Sequence, residues 1–325
     1  MTSRTPLIVV PDDFPSIFKG TPAEERCASL GETRVYTERG ADQEAELAGR
    51  LDGARVAINI RAHARFSDPV FAACPTLKLI SVWGTGTDNI DLESAARRGI
   101  TVCNTAGVNA NAVAEHTLAL MLAVARSIPK LDREMRGGAW PRELLTQLLG
   151  KTIGVFGTGS IGVRVIALAR ALGMTVLAWS ARADTARVDA AGARPAPKEQ
   201  ILREADVITL HLRLTPETRG FLGARELSLM KRSAILINTG RGALVERDVL
   251  LDALTQGRIR AGLDVFHDEP LKAGDPVLAL PNVVVSPHNA GQTSEVIRDG
   301  LLLAVANVEA FLRGQPKNVV MAARS

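Results

Sequence analysis

Short apolar runs separated by helix-patterned stretches recur along the whole chain. In the first third the runs are "LIVV" (7–10), "ARVAINI" (54–60), "LKLISVWG" (77–84) and "ITVCN" (100–104), all rich in Val and Ile. Helical patterns such as "ADQEAELAGRL" and "LESAARRG" lie between them. Runs that are apolar at successive positions mark strands buried on both faces, as in a parallel sheet covered by helices on each side. A second series starts near Lys151: "KTIGVFG", "MTVLAWS", "DVITLHL", "SAILINTG", "RAGLDVF" and "NVVVSPH". It predicts a second doubly wound α/β unit.

Between the two series lies "NAVAEHTLALMLAVARS", apolar on nearly every face and therefore expected to be buried. It reads as a core helix or a subunit contact. The contact is preferred, because each sheet is complete without it. A last helical pattern covers about 292–314, ends at Gly314, and is followed by "PKNVV". No Pro/Gly/Ser-rich linker separates the halves, so the boundaries fall at crossings between elements, near 103 and near 290.

Composition narrows the classes. The 325 residues are 46% hydrophobic and 23% charged, enough for two folded domains. The net charge of +4 is scattered, with no basic run of five or six, which argues against a nucleic-acid partner and suits anionic ligands. Cys27, Cys74 and Cys103 are odd in number and form no C-x-x-C, as expected of reduced thiols in the cytoplasm. No apolar run reaches the roughly 20 residues of a membrane helix, and the N-terminus lacks a signal-peptide pattern. No His/Cys cluster suggests a metal.

"TIGVFGTGSIGVRVIALARALG" places Gly157, Gly159 and Gly162 at G-x-G-x-x-G spacing, after a strand and at the start of a helix. Gly157 makes the tight turn, Gly159 lets the backbone approach a pyrophosphate, and Gly162 allows close helix–strand packing. Thr158, Ser160 and Ile161 complete the phosphate turn, whose free N–H groups and helix dipole favour an anion. About 20 residues on, the next strand usually ends in a carboxylate that bonds the ribose of NAD. Here it ends at Ser180, with Arg182 two residues further. Ser180 removes the repulsion a carboxylate would exert on the 2′-phosphate of NADP, and Arg182 offers it a charge-assisted bond. The expected cofactor is NADP, with NAD the alternative.

Three later strands end in polar groups: Arg241 between two glycines in "NTGRGAL", Asp264 and then Glu269 in "GLDVFHDEP", and His288 in "SPHNAG". In open α/β sheets ligands bind outside the carboxyl ends of the strands, so these segments are expected to converge there. At this point the chain resembles the D-isomer-specific 2-hydroxyacid dehydrogenases, nearly end to end. The likeness rests on "GTGTDNIDLESAARRGITVCNTAGVN", "VAEHTLALMLA", "GKTIGVFGTGSIG", "LMKRSAILINTGRGALV", "GLDVF..EP" and "SPHNAG".

The resemblance implies two parallel-sheet domains. One is a flavodoxin-like substrate domain over 1–102, completed by 291–325; the other is a Rossmann dinucleotide-binding domain over 103–290. It implies a catalytic trio of Arg241, Glu269 and His288, in a cleft between the domains. It implies backbone donors at Thr85 and Gly86 for the substrate carboxylate. Cofactor contacts are implied at His211, Thr215, Thr239, Gly240, Asp264, His288 and Gly291, with Asp264 on the carboxamide or acting only as a strand-end cap. A homodimer is implied, with Trp140 reaching the partner's site. His63, His116 and His267 are read as structural or surface residues. Arg213 and Asn289 stand where the family usually has Pro and an aliphatic residue.

The residue types suit reduction of a 2-oxo acid. Arg241 can pair with the carboxylate and polarise the ketone. His288 as imidazolium can protonate the developing alkoxide, and Glu269 on the other ring nitrogen fixes the tautomer and favours the charged form. The expected reaction is NADPH-dependent reduction of glyoxylate, hydroxypyruvate or a similar acid to the D-hydroxy acid. Alternatives are an NAD-dependent, phosphoglycerate-like dehydrogenase, and a non-catalytic, corepressor-like dinucleotide sensor.

Overall fold

The computed structural model describes residues 5–61, 63–181 and 185–323. They fall into two compact units: one runs to Asn109 and resumes at Thr293, and the other is Ala110–Gln292. The first unit opens with five parallel strands: β1 (Leu7–Val10), β2 (Glu32–Val35), β3 (Val56–Asn59), β4 (Leu79–Val82) and β5 (Thr101–Asn104). They lie in the order β2-β1-β3-β4-β5, a flavodoxin-like arrangement. β3, β4 and β5 are buried at every position, which is why they read as unbroken apolar runs. β2, "ETRV", is an edge strand with alternate residues exposed. Its polar half hid it from the apolar-run reading.

The second unit holds seven parallel strands: β6 (Thr152–Phe156), β7 (Thr175–Trp179), β8 (Arg194–Pro195), β9 (Val207–Leu210), β10 (Ile235–Asn238), β11 (Arg260–Leu263) and β12 (Val283–Val285). Their order is β12-β11-β10-β9-β6-β7-β8. The winding reverses between β6 and β9, which creates the switch-point crevice where doubly wound sheets hold ligands. β8 is two residues long and has no sequence signal.

The apolar segment after β5 forms the helix Ala110–Ala125, which buries Ala114, Thr117, Leu120, Met121 and Val124. It packs on the helix Ser160–Ala171 and across β10 and β11. The preference for a subunit contact is thereby corrected, because this helix covers a face of the sheet that would otherwise be bare. Gly262 of β11 shows how close the approach is: a Cβ there would come within 2.8 Å of Ile237 and 3.0 Å of Leu120.

The chain then re-enters the first unit through the helix Ser294–Leu312, started by Thr293, whose Oγ1 accepts the Val296 N–H at 3.2 Å. Ser81 in β4 donates to the carbonyl of Ala304 at 2.8 Å. Beyond the helix, β13 (Val319–Met321) pairs antiparallel with β5. "PKNVV" gave no warning of this edge strand, which is too short for a period to show. Asn307, 1% exposed, fastens it: its amide donates to the Asn104 carbonyl (3.0 Å), and its oxygen accepts from Asn318 (2.8 Å). Replacing Asn307 by Leu removes this partner of the buried Asn104 carbonyl and releases the exposed Asn318 amide to solvent. We expect a loss of about 1–3 kcal/mol, read as a lower urea midpoint at unchanged m.

Candidate active site

The glycine turn joins β6 to the helix Ser160–Ala171. Gly157 has φ +103°, and a Cβ there would lie 2.5 Å from the His211 carbonyl oxygen, at the switch point. A Cβ on Gly162 would overlap the Gly157 carbonyl. Gly159 differs: nothing lies within 4 Å of where its Cβ would be, and no side chain caps the helix it precedes. The open position and the uncapped N-terminus fit a dinucleotide pyrophosphate. Thr158 is buried, while Ser160 and Ile161 form the first turn.

Ser180 directly follows β7 and is half-buried. Arg182 lies outside the described residues. His211 follows β9, its Nε2 2.9 Å from the Thr209 hydroxyl. Burial pushes its imidazole down to about 4, so it is neutral at pH 7. Thr215 sits further out on an exposed loop, its N–H donated to Thr218 at 2.8 Å.

Arg241 is placed by a turn that Asn238 builds. The Asn238 side chain accepts the Gly240 N–H (3.0 Å) and donates to the Arg241 carbonyl (2.9 Å). A Cβ on Gly242 would overlap the carbonyl of Phe266, so this glycine lets the arginine turn rest directly on the backbone of the 264–269 loop. In that loop Glu269 accepts the Phe266 N–H through Oε1 (2.9 Å) and meets His288 Nδ1 through Oε2 (2.6 Å). Burial pushes the Glu269 carboxyl up. The bond and charge of His288, the Phe266 N–H and the charge of Arg241 outweigh it, and the net shift is downward. An ionised carboxylate only accepts, so His288 carries its proton on Nδ1 and presents Nε2 for proton exchange.

His288 has φ +51°, uncommon for a residue with a Cβ. Asp264, fully buried, holds it there. The Asp264 carbonyl accepts the His288 N–H at 2.7 Å. The carboxylate accepts Ser286 Oγ (2.6 Å), the Asn289 N–H (3.1 Å) and the Ala290 N–H (3.0 Å). Burial pushes this carboxyl up too, but the bonds from His116, Ser286, Ala290 and Asn289 together bring it below the usual range. Ser286, Asn289 and Ala290 occupy three of its roughly four acceptor positions and His116 Nε2 lies 3.5 Å from Oδ1, which makes Asp264 a brace for the histidine loop first. Thr239, Gly240 and Gly291 flank the same strand ends.

Thr85 and Gly86 belong to the first unit, in the half-buried loop after β4, where the Thr85 carbonyl accepts from Asn104 at 2.9 Å. Among residues the sequence reading missed, Asn238 and Ser286 shape the catalytic turns. Each is a small polar residue at or just beyond the end of an apolar strand, and that position was the available signal. His116, read as structural or surface, contacts Ser286 Oγ at 2.8 Å.

A glycine turn before an uncapped helix and a His–Glu pair lie along the carboxyl edge of one sheet. Residues 118–290 match the family model described as D-isomer specific 2-hydroxyacid dehydrogenase, NAD binding domain. The chain belongs to the D-isomer-specific 2-hydroxyacid dehydrogenases. It is 41% identical to a glyoxylate reductase of Aeropyrum pernix, over 79% of this chain and 80% of that one. It is 36% identical to a D-3-phosphoglycerate dehydrogenase of Methanocaldococcus jannaschii, over 90% of this chain and 56% of that one. Among solved structures it superposes on an acyclic imino acid reductase (Bsp5) in complex with NADPH and D-Arg. That match has a TM-score of 0.88 and 29% identity, and covers 97% of this chain and all of the other.

Gly159 and Gly162 predict opposite phenotypes. Gly159→Ala should keep the wild-type Tm and weaken nicotinamide-dinucleotide binding at least about tenfold, because the new methyl would enter the open position before the helix. Gly162→Ala should lower stability by about 1–3 kcal/mol, since backbone must move. Calorimetry and nucleotide fluorescence separate the two. For His211 the folded value of about 4 lies below the unfolded 6.5. The unfolded chain therefore takes the proton first as pH falls. Stability from this group should be complete above about pH 6.5 and lost progressively toward pH 4. A His211→Gln variant should show a flatter urea-midpoint profile across that window.

Proposed function

We propose that the protein reduces a small 2-oxo acid, of the size of glyoxylate or hydroxypyruvate, to the D-2-hydroxy acid with NADPH. The observation that carries the reaction is the His288–Glu269 pair at 2.6 Å, beside a loop on which the Arg241 turn rests. Arg241 binds the substrate carboxylate in a forked ion pair and polarises the ketone. The nicotinamide, when bound, supplies the hydride to C2. His288 delivers its Nε2 proton to the oxygen, where negative charge develops, and Glu269 stabilises the imidazolium while fixing the ring. In the reverse direction the neutral ring accepts that proton.

NADP preference rests on Ser180, at the end of β7, where a carboxylate would face the 2′-phosphate. The NADPH bound by the imino acid reductase supports it, and Arg182 is its proposed partner for the phosphate. The small-acid substrate is supported by the glyoxylate reductase relative. Residues 103–290 are proposed as the dinucleotide-binding domain, with 1–102 and 291–325 as the substrate domain.

A second copy of the chain is the proposed partner. The helix Ile128–Arg136 buries none of its residues. It exposes Ile128 and Met135, and the segment after it exposes Trp140, Leu144 and Leu149. These five exposed large apolar side chains within 22 residues support a partner surface here. A reducing compartment such as the cytoplasm fits three free, buried cysteines.

The test is a panel of 2-oxo acids, including 3-phosphohydroxypyruvate, assayed with NADPH and NADH. We expect turnover of small unphosphorylated acids with NADPH preferred. His288→Asn should cost about 10²–10⁴ in kcat. Ser180→Asp should raise the KM for NADPH and leave that for NADH nearly unchanged. Equal NADPH affinity in Ser180→Asp defeats the cofactor assignment, and preference for the phosphorylated acid defeats the substrate assignment.

A further inference from the structure

The helix Ala110–Ala125 does more than cover the sheet. Two consecutive residues on it reach two different catalytic loops. Thr117 Oγ1 donates to its own helix at Val113 (2.7 Å), so its 2.9 Å contact with Thr239 Oγ1 is a bond received from Thr239, two residues before Arg241. His116 Nε2 lies 2.8 Å from Ser286 Oγ and 3.5 Å from Asp264 Oδ1. The Ser286 proton is already committed to Asp264 at 2.6 Å. A carboxylate cannot return a proton, so the His116 contact must be an N–H donated to the serine oxygen. The polar order is therefore fixed: His116 to Ser286, Ser286 to Asp264, with Asp264 also accepting Asn289 and Ala290, the residues directly after His288.

We propose that His116 is a positioning residue for His288, acting through Ser286 and Asp264. Its donated proton locks the Ser286 hydroxyl in the one orientation that serves Asp264. That orientation steadies the carboxylate that keeps the histidine backbone left-handed. Bonds in such a chain polarise and strengthen one another, so removing the first donor loosens the rest. The effect on rate depends on reading His288 as the proton donor; the effect on the loop does not.

The experiment compares wild type, His116→Phe and His116→Gln, with Gln restoring an amide N–H near the Nε2 position. In His116→Phe, kcat for 2-oxo acid reduction should fall about 10- to 100-fold, as for a catalytic group displaced by a fraction of an ångström. NADPH affinity should hold. Amide exchange at Asn289 and Ala290 should accelerate on the order of tenfold. His116→Gln should recover most of both. Wild-type kcat with unchanged exchange in His116→Phe overturns the proposal. So does an equal loss in both variants with a lowered Tm, which is packing alone. Should the wild-type protein reduce no 2-oxo acid, the reaction assigned above fails, and exchange at Asn289 and Ala290 alone decides the role of His116.

Discussion

One buried carboxylate organises the catalytic edge. Asp264 is fully excluded from solvent, and an isolated charge there would be prohibitively costly. It is tolerated because Ser286 and the N–H groups of Asn289 and Ala290 converge on it. The same bonds bend the chain back at His288 and hold a conformation that a side chain with a Cβ resists. The hydrogen bonds offset both the buried charge and the strained backbone, and the imidazole meets Glu269 as a result.

The glycines perform a related task by omission. Gly157, Gly162 and Gly242 each sit where a methyl group would run into backbone carbonyl atoms. Two of them bind the phosphate turn to the sheet, and the third seats the arginine turn on the glutamate loop. Gly159, unlike these three, faces open space. Three glycines therefore serve the fold of the free protein, while the fourth leaves room for something the protein has yet to meet.

Much of this was legible beforehand, for reasons that can be named. Strands buried on both faces write themselves as apolar runs, so β3 to β5 and β9 to β10 were plain. The glycine spacing and the polar strand ends pointed to the edge where chemistry would gather. What escaped were elements without a period. β2 is half polar, β8 is two residues long, and β13 is held by side-chain amides more than by its own apolar content. The helix Ala110–Ala125 was misjudged because no apolar run shows which faces of a sheet are still bare. His116 escaped for a simpler reason: its partner lies 170 residues away in sequence.

That separation has a consequence for how the site comes into being. A ribosome releases the helix carrying His116 long before it releases Ser286. Until the chain through Ala290 has left the exit tunnel, Asp264 lacks Ser286 and the N–H groups of Asn289 and Ala290. The bracing of the His288 loop is thus among the last features of this unit to mature. A chain stalled short of Ala290 would hold a finished glycine turn and an unbraced His288.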